Sequence, residues 1–64
     1  MHPATAQTLA YFTYDHLPES LQVISRPFCE LAQHVADTVQ GPQATIALQK
    51  LLEAKDCAVR AALV

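Results

Sequence analysis

Thr45 to Val64, TIALQKLLEAKDCAVRAALV, reads as one amphipathic helix whose apolar residues spread around most of its circumference. A single neighbouring helix cannot cover that much apolar surface. The chain has 64 residues, 52% of them hydrophobic, and below roughly 70 to 80 residues a lone core seldom holds a fold without staples or partners. The stretch therefore predicts a helix that buries itself against further copies of the chain. It also carries Lys50, Lys55 and Arg60, three of the four basic residues. An assembly would gather several such sets, which points toward an anionic ligand.

Upstream, Pro18, Glu19 and Ser20 suit a helix start, with proline in the first turn and glutamate at the positive end of the dipole. Leu21, Ile24, Phe28, Leu31 and Val35 then recur at spacings of three and four, the seam of a helix packed lengthwise on another. Pro27 lacks an amide hydrogen and crowds the carbonyl four residues earlier, so a kink or a restart is expected around Ser25 and Arg26. Gln40, Gly41 and Pro42 close this helix and open the next, glycine being able to take a left-handed cap. Folding about that turn would set Leu31 beside Leu51, Phe28 beside Ala54, Ile24 beside Ala58 and Leu21 beside Ala61, large against small. Ile46, Leu52, Val59 and Leu63 find no partner in this scheme. They are the expected contact between subunits, and a self-complementary patch of this kind makes a symmetric dimer or a ring of dimers.

Residues 1–17 stand apart from the helical hairpin over 18–64. Met1 to Thr8 is small and polar, which suggests a frayed tail or a short turn. Leu9 to Leu17, LAYFTYDHL, is expected to be extended or irregular, because Pro18 pushes Leu17 out of helical geometry. Its Tyr11, Phe12 and Tyr14, next to Asp15 and His16, suit either a latch onto the helices or a ring platform for bases; the latch suits Phe12. The fold class is all-α: an antiparallel two-helix hairpin with a short N-terminal segment, assembling into a helical homo-oligomer.

Composition excludes several functions. One glycine leaves little material for the tight turns of an all-β fold. A net charge of −2 argues against a binder of nucleic-acid polymers, which needs a dominant basic surface. No window approaches the ~20 apolar residues of a membrane span, and the N-terminus lacks a secretory pattern, so an intracellular protein is expected. Cys29 and Cys57 belong to no CxxC or CxxH arrangement and are read as reduced packing residues; across the hairpin they would stand about 7 Å out of level, which disfavours a disulfide. Cys29 and His34, five apart, point to different sides of a helix, so no metal site is expected. GxSxG, HExxH and GxGxxG are all missing, and His16 beside Asp15 has no nucleophile to serve, so neither catalysis nor a cofactor is expected.

Binding needs only convergent cations and aromatic faces. Lys50 and Arg60 share a polar stripe with Glu53 and Cys57, whereas Lys55 lies nearer the seam with Leu48, Leu51 and Ala58. Taken alone, these charges suit a solvated helix paired with Glu53 and Asp56 just as well.

The run Thr45-Ile46-Ala47-Leu48-Gln49-Lys50-Leu51, followed by Glu53-Ala54 and Ala58 and preceded by Phe12-Thr13-Tyr14 and Pro18, resembles the small phage-encoded helical-hairpin sponges. These are the anti-CBASS cyclic-nucleotide sponges and the related anti-Thoeris hairpins, and the similarity spans about Phe12 to Leu63. The resemblance implies a homo-oligomer, commonly a hexamer built as a trimer of dimers. Such a sponge holds cyclic dinucleotides or cyclic trinucleotides, uncleaved, in the cytoplasm of the infected bacterial host. Tyr14 matches the family's aromatic position and would stack on a base, while Thr45 and Lys50 match the hydroxyl and lysine of the second-helix motif. Arg26 joins the ligand-binding set by charge and location, and Lys55 and Arg60 as further cations.

The chain departs from the family pattern at two places. Pro42-Gln43-Ala44 stands where members often carry a basic residue, and Cys57-Ala58-Val59 where they carry an aromatic-Ala-Asn run. Those departures leave open a different messenger, including a cyclic ADP-ribose derivative. A structural or adaptor hairpin is the other reading the residues allow.

Overall fold

The computed structural model describes residues 3–63. Three helices follow one another, α1 over Pro3–Ala10, α2 over Glu19–Thr38 and α3 over Pro42–Ala62, and no strand occurs among the described residues. α2 and α3 make the main packing, and α1 touches both, within a body of 36 × 18 × 16 Å.

α1 departs from the frayed tail or short turn expected for Met1 to Thr8, of which Met1 and His2 lie outside the described residues. Eight residues cannot hold a helix in isolation, so its order comes from docking. Leu9 packs against the core at its end, and Phe12 is wholly buried just beyond it. The last turn tightens through amide bonds from Tyr11, Phe12 and Thr13 back to Thr8, Leu9 and Ala10, and the Thr13 hydroxyl donates to the Ala10 carbonyl at 3.0 Å. Residues 11–18 are then irregular, as expected for that part of Leu9 to Leu17, whereas Leu9 and Ala10 belong to α1; Phe12 acts as the latch.

α2 starts from Pro18, which caps the helix from outside rather than entering its first turn; its carbonyl accepts from the amides of Leu21 and Gln22. The Gln22 side chain donates to the Leu17 carbonyl at 2.8 Å and ties the irregular segment to the helix. No restart occurs at Pro27, since α2 runs unbroken from Glu19 to Thr38. Pro27 is exposed, so the carbonyl of Val23, which loses its regular helical donor, lies on the side where water can serve it.

The turn is short. Val39 closes α2 in an extended conformation, φ −131° and ψ 153°, and Gly41 precedes α3 at φ 98° and ψ 179°. Gly41 therefore caps the start of α3 and not the end of α2, in a region of backbone space that favours glycine. Its carbonyl accepts from Ala44 and Thr45, and Pro42 follows in the first turn, where no amide donor is required.

The core centres on Phe12, Ala32 and Leu48, with Leu9, Phe28, Cys29, Val35, Ala36, Leu51 and Leu52 packed around them. The seam of α2 is thus rotated from the expected one. Ser25 and Ala32 are buried, and Leu31, expected to face Leu51, is 48% exposed. Ala54 and Ala61, expected opposite Phe28 and Leu21, face solvent as well. A buried phenylalanine ring explains the rotation: Phe12 enters between the helices, and a small side chain at Ala32 makes room for it. Leu52, which seemed to lack a partner, packs on this core, and Val59 is half-buried. Only Ile46 and Leu63 of the four expected interface residues are largely exposed.

Candidate functional site

Three open clefts contain most of the residues that the sequence reading singled out, but no cleft contains them all. The first lies at the junction of the irregular segment with the end of α3. It is about 300 Å³ in volume and is lined by Tyr11, Thr13, His16, Leu17, Lys55, Asp56, Val59 and Arg60. Its geometry depends on Lys55, whose spacing from Leu48 and Leu51 turns it toward the seam. The Lys55 side chain is only 13% exposed, and its ammonium is held between the Asp56 carboxylate at 3.0 Å and the Tyr11 carbonyl, to which it donates at 2.9 Å. That bond joins α3 to the turn after α1, 44 residues away in sequence.

Arg60 sits in the last turn of α3, where its charge opposes the negative end of the dipole. Among the described residues it has no ion-pair partner. Tyr11 is 66% exposed, so its ring is available at the rim. The cleft thus offers two cations against one carboxylate, a free guanidinium, an aromatic face, and the hydroxyls of Thr13 and Tyr11. Such a set can hold a phosphate through charge-assisted hydrogen bonds and stack a planar ring.

The other expected ligand residues stand elsewhere. Arg26 faces Glu30 at 3.8 Å on the outer side of α2 and lines a shallow depression with Glu19, Gln22, Val23 and Pro27. Thr45 lines a third cleft beside the interhelical turn, with Asp37, Gln40 and Gly41 among its neighbours. Lys50 is exposed and pairs with Glu53 at 3.5 Å. Tyr14 is half-buried and, like Lys50, lines none of these three clefts. Within one chain, only Lys55 and Arg60 come together.

Tyr11 and Thr13 line the first cleft, although neither was an expected ligand residue. Tyr11 stood in the aromatic run, but choosing between Tyr11 and Tyr14 needs the direction of the turn after α1, which no local pattern supplies. Cys29 is half-buried on the core, whereas Cys57 is exposed and so is not a packing residue; both are free thiols. Among the described residues no cluster of three or more His, Cys, Asp or Glu side chains could hold a metal ion, and no helix is long and apolar enough to cross a membrane. In comparisons with protein-family models, curated proteins and solved structures, nothing matches this chain.

Proposed function

We propose that this protein is a sponge, a phage anti-defence protein that sequesters a cyclic oligonucleotide messenger without cleaving it. In this reading the chain is an antiparallel two-helix hairpin with an N-terminal strap, and it works as a homo-oligomer in the host cytoplasm. The observation that carries the reading is the pairing of an unengaged Arg60 and a partly buried Lys55 with the exposed Tyr11 ring around one cleft. Phosphate would meet the guanidinium, a base would lie on the ring, and the Thr13 oxygen, whose proton goes to the Ala10 carbonyl, would accept from the base. Tyr14, Arg26, Thr45 and Lys50, held apart within one chain, would reach a ligand only where neighbouring subunits bring them to it. A cyclic ADP-ribose derivative offers the same phosphate and purine chemistry and is the alternative ligand. The adaptor reading draws instead on Val23 and Leu31, exposed on the outer side of α2.

The test is a melting-temperature screen against cyclic dinucleotides, cyclic trinucleotides and ADP-ribose cyclisation products, followed by heat release of the ligand and mass spectrometry. A thermal shift with the ligand recovered intact supports sequestration. Recovery of a cleaved product, or no shift with any compound, overturns it. Arg60→Ala is expected to weaken binding tenfold or more, because a charge-assisted hydrogen bond contributes about 1.5 to 3 kcal/mol.

A further inference from the structure

The outer side of α2 carries an apolar stripe that the chain itself leaves uncovered. Val23, Pro27 and Leu31 recur every four residues, so they lie one above the other on a single face. All three are exposed, Val23 at 73% and Leu31 at 48%.

We propose that this stripe docks onto the same stripe of a second copy, antiparallel, about a two-fold axis near Pro27. Three observations select a second copy over another occupant. First, an antiparallel pairing centred on Pro27 sets Val23 of each chain against Leu31 of the other. The shallow depression formed by Glu19, Gln22, Val23, Arg26 and Pro27 then receives that leucine. Second, Arg26 and Glu30 each precede a stripe residue by one position and so flank the seam on the same side. In antiparallel helix pairs, residues on that flank meet the same flank of the partner, and this register brings Arg26 of each chain to Glu30 of the other. Third, within one chain the two charges are held only loosely. The Arg26 Nε stands 3.8 Å from Glu30, with the side chains 63% and 66% exposed, which leaves donors and a carboxylate oxygen for a partner. The pairing covers the middle turns of α2 and stops short of its ends, where Glu19 and Asp37 would meet as like charges.

This inference does not depend on the ligand reading and is tested without a ligand. Arg26→Glu gives a chain with glutamate at both flanking positions, and Glu30→Arg gives one with arginine at both. The wild type is expected to sediment as a dimer or a multiple of it at micromolar concentration. Each variant is expected to fall to the 7.0 kDa monomer, or to half the wild-type assembly, while keeping its helical circular dichroism. An equimolar mixture of the two variants is expected to regain the wild-type mass, with native mass spectrometry finding both chains in each dimer. A monomeric wild type, variants that retain the wild-type mass, or a mixture that does not associate would each overturn the proposal. Recovery in the mixture also shows that the single variants are folded.

Discussion

α2 and α3 are both about twenty residues long and pack on one another, yet the side chains that each buries completely differ in size. α2 buries a serine and an alanine completely and leaves Val23 and Leu31 in solvent; α3 buries Leu48 and leaves Ala47, Ala54, Ala61 and Ala62 outside. Hydrophobicity alone would have placed the leucines and valines of both helices inward. The difference arises from Phe12, a third contributor that needs volume between the helices and obtains it on the α2 side. In a core this small, shape decides which face is inside, and transfer free energy only confirms the choice.

The most direct way to break the contrast is to remove the ring that creates it. Phe12→Ala should cost about 3 to 5 kcal/mol, as large aromatic-to-alanine changes do, and this approaches the whole stability of a domain of this size. A chemical denaturation curve with no native baseline is the expected result, and a well-formed baseline would show that α2 and α3 pack without the latch. Filling the small side tests the same point from the other direction. Ala32→Leu should cost about 1 to 3 kcal/mol by overpacking, seen as a lowered urea midpoint; an unchanged midpoint would mean the space beside Phe12 is loose.

Ser25 sharpens the comparison, because it is buried and its hydroxyl has no hydrogen-bond partner among the described residues. Ser25→Ala keeps the small shape and removes the unsatisfied group, so it should gain about 1 kcal/mol, read as a higher melting temperature. A loss would show that the hydroxyl has a partner in solution. On α3, Lys50→Ala should change stability by less than about 0.5 kcal/mol, because exposed ion pairs such as Lys50 with Glu53 contribute little. A larger drop in melting temperature would place that lysine in an interface.

Much of this arrangement was legible before the structure. The all-helical class followed from one glycine and the three-four periodicities, the turn from Gln40-Gly41-Pro42, the latch from Phe12, and the inward lean of Lys55 from its spacing to Leu48 and Leu51. α1 was not legible, because eight residues without caps carry no periodic signal and are helical only through docking. The rotated seam was missed because periodicity is read from large side chains, whereas the two residues of α2 at the centre of its inner face, Ser25 and Ala32, are small. At Pro27 the structure excludes the restart, one of the two outcomes expected there: the cost of proline depends on whether the freed carbonyl meets water, and that depends on which face is outside. For the candidate site, charge spacing found Lys55 and Arg60. It could not bring Tyr11 to Lys55, since that contact, through the Tyr11 carbonyl, spans 44 residues.

Gly41 has a consequence of a different kind. Nothing lies within 4 Å of where a β-carbon would sit, so the requirement there is one of handedness and not of room. At φ 98° and ψ 179° the mirror image of this backbone is ordinary extended chain, the preferred territory of a D-residue reflected. A synthetic chain with D-alanine at this position should therefore fold more stably than the natural one, while its L-alanine twin folds less stably. Two molecules identical in composition and differing at one stereocentre would then be ranked by the joint between the second and third helices alone.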